Sequence, residues 1–190
     1  MHTGPLVDLI VFLLGLVGAY LLLVRPRLIR WGATDDEIKR PYPGAQLIPG
    51  GARSSTTMAI TIDAPPAAVW PWLVQMGVDR AVWYTWWEVA ALEPEQFLGL
   101  RMSLDLRGRR FDPKRRPLRF YTDSLWAFQL VELPGGRTRL IVSGYWAFRP
   151  RWMRPIVGVL LLEPSTWIMQ ARQLTGIKRR AERTARDPQS

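Results

Sequence analysis

The feature that most constrains this chain is a nearly unbroken apolar run at residues 5–24, PLVDLIVFLLGLVGAYLLLV. About twenty residues in an α-helix span roughly 30 Å, the hydrocarbon thickness of a bilayer. The one charge in the run, Asp8, lies near its N-terminal end, where the side chain would reach the membrane interface. The run therefore predicts a single transmembrane helix.

The charges that flank this run predict its orientation. Arg25, Arg27 and Arg30 follow it directly, whereas residues 1–4 contain no Lys or Arg. Because the basic flank of a transmembrane helix stays in the cytoplasm, we expect a single-pass protein of the cell membrane, with its N-terminus outside and its domain in the cytoplasm. The alternatives are a cleaved signal peptide, which would carry basic residues before the run, and a buried core helix, which is rarely so uniformly apolar.

Composition limits the chemistry of the remaining chain. There is no Cys, and the only histidine, His2, precedes the apolar run. The folded domain therefore lacks a His general base, a Ser-His or Cys-His pair and the most common zinc ligands. The sequence contains no phosphate-binding Gly loop and no metal-ligand spacing, so we predict no cofactor, no metal site and no catalytic residue.

The net charge of +10 is concentrated in two basic segments, residues 107–119 and 178–186. A basic balance is typical of proteins that bind nucleic acid or anionic lipid, and also of proteins that are simply soluble. For a tethered domain the nearest polyanion is the lipid headgroup, and no nucleic-acid recognition motif is present. We expect membrane lipid rather than nucleic acid as a partner, with plain solvation of both segments as the alternative. Nothing in the sequence indicates an oligomeric state.

The chain divides into four parts by composition. Residues 1–30 form the transmembrane anchor and its basic flank, and residues 31–55 read as a Pro- and Gly-rich linker packed loosely against the domain. Residues 56–184 carry the periodic patterns of one folded domain. Residues 185–190 are expected to form a disordered tail.

Within the domain, period-two alternation predicts strands and period-3.6 spacing predicts helices. A helix is expected at residues 66–77, where proline suits the helix start, and a long helix at the C-terminus. The C-terminal helix carries an apolar stripe of Trp167, Ala171, Leu174, Ile177 and Ala181. The strands are expected at residues 58–63, 86–92, 98–106, 125–133 and 137–148.

This order, together with four short motifs, resembles the SRPBCC superfamily, the START and polyketide-cyclase-like helix-grip proteins, and within it membrane-associated bacterial members of unassigned function. The motifs are AITIDAPPAAVW at 59–70, EVAALEP at 88–94, WAF at 126–128 with GGRTRL at 135–140, and GIKRRAE at 176–182. The resemblance implies an α+β fold in which a curved antiparallel sheet surrounds a long C-terminal helix. The chain between residue 84 and the strand that ends at residue 93 is shorter than in such proteins, so the sheet is expected to lack one or two strands.

The resemblance also implies an apolar cavity between the sheet and the long helix. Alternation along the strands and spacing on the helix select the side chains that face it. These are Leu100, Met102, Trp126, Phe128, Leu140, Val142, Trp146, Trp167 and Leu174. Bulky aromatic walls suit a lipid, a polyketide or another flat apolar ligand. Plain core packing is the alternative for each of these residues.

Three functions are consistent with these patterns. The anchor, the resemblance and the scarcity of catalytic side chains favour a non-catalytic, membrane-anchored domain that binds a hydrophobic small molecule or lipid. The second is a cyclase- or dehydratase-like enzyme on a polyketide-type substrate, in which a tyrosine or carboxylate acts in the cavity. The third is an interaction module whose cavity is filled.

Overall fold

The computed structural model describes residues 4–75, 87–113, 118–150 and 163–186. Within these residues, strands precede a long C-terminal helix. The helices are α1 (Pro5–Ala19), α2 (Arg25–Ile29), α3 (Asp35–Lys39), α4 (Pro66–Leu73) and α5 (Glu163–Arg186). The strands are β1 (Ala52–Arg53), β2 (Met58–Ile62), β3 (Glu88–Glu93), β4 (Phe97–Asp105), β5 (Tyr121–Leu133) and β6 (Arg137–Arg149).

The strands form one antiparallel sheet in the order β1-β6-β5-β4-β3, and β2 also pairs with β6. Its centre is the hairpin of β5 and β6, whose turn contains Gly135 and Gly136 at positive φ, a conformation that glycine adopts without steric cost. The strands expected at residues 125–133 and 137–148 are thus confirmed, and they pair as a hairpin. Strand β5 begins at Tyr121 rather than at residue 125, so the hairpin is longer than alternation indicated.

One face of the sheet packs against α4 and α5 and forms the main core. Helix α5 contributes Leu174, Ile177 and Ala181, which belong to the predicted apolar stripe, and α4 contributes Val69 and Leu73. The sheet contributes Met58, Ile62, Leu98, Leu100, Trp126, Phe128, Leu130, Leu140 and Val142. A curved antiparallel sheet against a long C-terminal helix is the helix-grip architecture, so the α+β fold expected from the sequence is confirmed.

Residues 31–55, expected to form a loosely packed linker, cover the opposite face of the sheet. Tyr42 and Ile48 are buried there in a second core cluster. The Tyr42 hydroxyl lies 2.9 Å from the carbonyl oxygen of Ala127 and 3.0 Å from that of Ile141, within hydrogen-bond distance of both. The segment is irregular in conformation, which explains its lack of periodicity, but it is packed as part of the folded structure.

The N-terminal helix is continuous through α1, a π-helical turn (Tyr20–Val24) and α2. The stretch Pro5–Ile29 is long and apolar enough to cross a membrane, with a mean hydropathy of 2.6. Within the described structure α1 buries none of its side chains, whereas α2 packs beside α5. The helix therefore projects from the domain beside the first turn of α5.

Some sequence predictions fall at or beyond the limits of the described residues. The predicted end of the first domain helix, at Met76 and Gly77, lies outside them. Helix α5 continues to Arg186, two residues into the predicted tail, and residues 187–190 lie outside the described part. The sheet expected to be short has six strands among the described residues, and β1 is only two residues long. The four domain boundaries remain predictions.

Candidate functional site

A cavity of about 160 Å³ lies between the sheet and the first turns of α5. It occupies the half of the domain where β5 begins and β6 ends. The lining residues come from the segment before β2, the start of β3, the three long strands and α5. They are Ser54, Thr56, Trp87, Met102, Thr122, Ser124, Leu125, Trp126, Ser143, Gly144, Trp146, Phe148, Glu163, Thr166, Met169 and Gln170.

Aromatic rings form much of the cavity wall. The Trp126 ring lies 5.4 Å from that of Trp87, which also lines the cavity, and 4.9 Å from that of Phe128, which lies in the packed core behind it, centroid to centroid. Trp146 and Phe148, two residues apart on β6, stack at 5.6 Å. Side chains two residues apart share a face of a strand, so the hairpin aims these rings at the same space. The wall offers a flat apolar surface of the kind that binds aromatic or acyl groups.

A glycine opposite Trp126 makes this arrangement of the hairpin possible. Gly144 is paired with Trp126 across β5 and β6. A Cβ atom at this position would come within 1.8 Å of the carbonyl oxygen of Leu125. The two strands therefore approach more closely here than any side-chain-bearing residue allows.

Polar groups are present at the edge of the cavity. Ser124 and Gln170 are each 3% exposed, and the Ser124 hydroxyl donates to the Met102 carbonyl at 3.3 Å. Glu163 contributes a carboxylate that is already occupied: Arg25 donates to both of its oxygens, at 2.6 and 3.0 Å, and Ser55 donates a further short hydrogen bond. These groups could orient a polar end of an otherwise apolar ligand.

The volume limits what the cavity can hold. A cavity of about 160 Å³ is comparable to one that accommodates a single benzene-sized molecule. The space bounded by the described residues thus fits an aromatic ring or the end of an acyl chain. Among those residues no group of three or more His, Cys, Asp or Glu side chains is placed to hold a metal ion.

The predicted cavity residues divide into two groups in the structure. Met102, Trp126 and Trp146 line the cavity. The other inward-facing residues lie in the packed core beyond it, and Trp167 packs against that core. The fully buried ones are Leu100, Phe128, Leu140, Val142 and Leu174. Alternation identified the inward face correctly, but it does not distinguish a side chain that meets a neighbour from one that meets a void. A ligand-binding role for any of the nine remains a prediction.

Several lining residues were missed, for different reasons. Ser124 lies one residue before the expected start of its strand and continues the alternation of Trp126, so a longer strand would have included it. Phe148 is the last residue of the strand expected at 137–148 and shares the face of Trp146, so its alternation marks it as inward-facing. Gln170 precedes Leu174 by one helical turn, but it is polar and so does not belong to the apolar stripe that predicts the inward face of the helix. Ser54 lies in a segment without periodicity, and nothing in the sequence marks it as a lining residue.

The polar side chains on the opposite face of the sheet serve packing. Arg101 donates to both carboxylate oxygens of Asp123, at 2.9 and 2.7 Å, and Ser103 donates to the same carboxylate. The hydrogen bond to Asp123 raises the pKa of the Arg101 guanidinium. The Tyr145 hydroxyl donates to the carbonyl oxygen of Tyr42 at 2.6 Å. By strand alternation these groups point away from the cavity.

Comparison with known proteins gives similarity at the level of fold. No protein-family profile matches the sequence, and no curated protein sequence is significantly similar to it. Among solved structures, the Zhui aromatase/cyclase of Streptomyces sp. R1128 is 16% identical with a TM-score of 0.37, and the alignment covers 74% of this chain and 99% of that one. A Mesorhizobium loti protein is 20% identical with a TM-score of 0.42, over 67% and 98% of the two chains.

A polyketide-cyclase-like protein of Corynebacterium glutamicum is 16% identical with a TM-score of 0.35, over 70% of this chain and 92% of that one. Identities and TM-scores this low carry no argument about activity. The assignment of the architecture comes from the strand order and the position of α5. The chain has a helix-grip fold.

Proposed function

We propose that this protein is a membrane-anchored helix-grip domain that binds a hydrophobic small molecule or the apolar end of a lipid without transforming it. The observation that carries the proposal is the aromatic-walled cavity between the sheet and α5. The inner face of the sheet is otherwise close-packed, with Phe128, Leu140 and Leu174 fully buried. Protein interiors rarely leave such voids unfilled, so an apolar space of this size in an otherwise packed core favours a binding role.

The N-terminal helix supports the membrane anchor. Its length and mean hydropathy suit a transmembrane span, and its first fifteen residues, α1, have no buried side chain. Three arginines at its C-terminal end favour a cytoplasmic domain. Labelling an engineered cysteine at Ser190 with an impermeant maleimide tests the orientation, because the natural chain has no Cys. We expect no labelling in intact cells and full labelling after lysis.

The state of Glu163 favours binding over catalysis. It is the one carboxylate among the described residues that line the cavity. Both of its oxygens accept hydrogen bonds from Arg25, and one also accepts from Ser55. A general base needs a free lone pair aimed at the substrate proton. A carboxylate held in this way is better suited to fixing the anchor helix against α5.

The test is to identify what the full-length protein carries. The chain is purified in lipid nanodiscs, extracted with organic solvent and analysed by mass spectrometry against empty nanodiscs. We expect a stoichiometric apolar compound with an aromatic ring or a slender chain end. Ser124→Leu, which fills the cavity, should abolish its retention.

Thr184→Leu is the matched control, because it makes a similar change near the end of α5, remote from the cavity. It should retain the compound fully. Equal retention by wild type and Ser124→Leu would place the compound elsewhere on the protein. A folded wild-type protein that carries nothing and binds no indole in a thermal-shift titration would contradict the binding function.

A further inference from the structure

The anchor helix leaves the domain at a defined end of the sheet. The backbone N–H of Thr57 donates to Ile29, and one helical turn earlier Arg25 reaches Ser55. The segment from β1 to β2 runs antiparallel to β6. Going from Thr57 back to Ser55 is therefore going toward the C-terminal end of β6, and the helix runs in the same direction from Ile29 back to Arg25. The helix therefore emerges beside the strand ends at Asp105, Tyr121 and Arg149, and this end of the domain is called the anchor end.

The two ends of the chain segment that joins β4 to β5, residues 106–109 and 118–120, lie at the anchor end and expose apolar side chains. Asp105 pairs with Tyr121 where the two strands end, so Leu106 and Phe120 each lie one residue beyond the last pair, at the same end of the sheet. Leu106 is 66% exposed and Phe120 is 45% exposed. Two exposed large apolar side chains at the end of the sheet where the helix emerges are placed to enter a lipid interface if the domain contacts the bilayer.

The first part of this loop is held in one conformation. The Asp105 carboxylate accepts the backbone N–H groups of Arg107 and Arg109, both at 2.8 Å. Gly108 supplies the positive φ that the turn requires. The side chains of Arg107 and Arg109 are thereby left exposed on either side of the glycine.

Basic residues surround the two apolar side chains. Arg107, Arg109 and Arg119 are exposed at this end, and Arg110 is paired with Glu88. The acidic side chains at the described residues here are Asp105 and Asp112. The Asp105 carboxylate accepts the backbone N–H groups of the turn. Apolar side chains that can insert, ringed by arginines that can pair with phosphate, match the surface of an anionic bilayer.

The second basic segment lies at the opposite end of the domain. Lys178 donates to the Thr61 carbonyl, and Glu182 accepts the backbone N–H of Asp63. The C-terminal part of α5 is thus fixed beside the end of β2, near the β5–β6 turn. Arg179 and Arg183 are exposed there, a full sheet length from the anchor end.

We propose that the face formed by Leu106, Arg107, Arg109, Arg119 and Phe120 seats on the anionic leaflet from which the anchor helix emerges, whereas the basic end of α5 stays in solution. The proposal rests on the membrane anchorage of the proposed function. Docking in this way places the half of the domain that contains the cavity against the bilayer, because the cavity lining includes Thr122 and Phe148 at the same strand ends.

The test measures how close each end of the domain lies to lipid. Full-length Leu106→Cys and Glu132→Cys variants, each labelled with an environment-sensitive fluorophore, are reconstituted into vesicles that contain a nitroxide-labelled lipid. The vesicles are phosphatidylcholine alone or phosphatidylcholine mixed with phosphatidylglycerol. We expect strong quenching at position 106 in the anionic vesicles, weaker quenching at 106 in the neutral ones, and none at position 132, near the β5–β6 turn.

Charge removal identifies the side chains responsible. In the anionic vesicles Arg107→Gln with Arg109→Gln should reduce quenching at position 106, since each basic residue lost weakens attraction to the surface about fivefold. Arg179→Gln with Arg183→Gln removes the same charge from the far end and should change nothing. Equal effects of the two double variants would overturn the proposal.

The outcomes also separate docking from anchorage. A protein that floats with the vesicles but shows no lipid quenching at position 106 is anchored without docking, which overturns this inference alone. A label at 106 that is shielded from water but not quenched by lipid shows a protein partner instead, with the same consequence. A protein that does not float with vesicles overturns the membrane anchorage and the docking together.

Discussion

Gly144 is the residue at which the hairpin tolerates least change. Any Cβ there would collide with the backbone of β5 at Leu125, and backbone cannot rotate aside as a side chain can. We expect Gly144→Ala to lower the free energy of unfolding by about 1–3 kcal/mol or more and to displace Trp126 from the cavity wall. Urea denaturation followed by tryptophan fluorescence measures both effects.

Gly176 provides the control for this substitution. It lies within α5, where a Cβ would meet no atom within 4 Å. Alanine is a better helix former than glycine by about 0.5–1 kcal/mol, so Gly176→Ala should stabilise the protein. If Gly144→Ala were equally neutral or stabilising, the close approach of β5 and β6 would be wrong.

Glu37 should give stability a measurable pH dependence. Its carboxylate accepts two hydrogen bonds from Arg139, at 2.7 and 2.8 Å, and one from the Thr34 backbone N–H. Partial burial alone would raise the pKa of Glu37, but these bonds outweigh burial and hold it below the ordinary 4.5. A carboxylate with a lowered folded-state pKa stabilises the protein above its ordinary pKa and loses that contribution as the pH falls through the folded value.

Glu37→Gln should therefore be less stable than wild type near neutrality, and the difference should shrink as the pH falls below about 4.5. Chemical denaturation at a series of pH values measures it. Glu132→Gln, at the exposed end of β5, controls for the loss of one surface carboxylate. A difference between Glu37→Gln and wild type that stayed constant down to acid pH would show that the ion pair with Arg139 does not form.

At the level of elements, the pair of Arg25 and Glu163 joins the N-terminal helix, at the start of α2, to α5. The side chains are 21% and 11% exposed, so removing one partner leaves a partly buried charge. We expect Glu163→Gln to destabilise the domain by about 1–3 kcal/mol. Adding Arg25→Gln should cost less than the sum of the two single changes, as double-mutant denaturation in detergent micelles would show.

The exposed pair of Arg30 and Asp35 is the comparison. These side chains are 55% and 74% exposed and lie 3.6 Å apart, and surface pairs contribute little. The same cycle should give no measurable coupling there. The absence of coupling in both pairs would mean that Glu163 is solvated and that the N-terminal helix is not fixed to α5.

Elements with a regular hydrophobic period could be predicted from the sequence, and the others could not. The alternation of β4, β5 and β6 and the stripe of α5 gave the sheet, its inward face and its covering helix. The packing of Tyr42 and Ile48 could not be predicted, because an irregular segment buries single side chains without a period. The cavity position could not be predicted either, since Trp126 beside the void and Phe128 in the packed core follow the same alternation.

At the scale of the whole molecule, both faces of the sheet need cover, and residues 31–55 cover the outer one. A chain of residues 56–190 would lose Tyr42 and Ile48 and expose the apolar outer side of β5 and β6. Burial of a side chain such as Ile48 contributes about 1.5–3 kcal/mol, a large share of a domain's net stability. We expect residues 32–190 to fold cooperatively and 56–190 to aggregate or melt without a transition in calorimetry. If the shorter chain were equally stable, residues 31–55 would be a linker after all, and the second core cluster would contribute nothing to the fold.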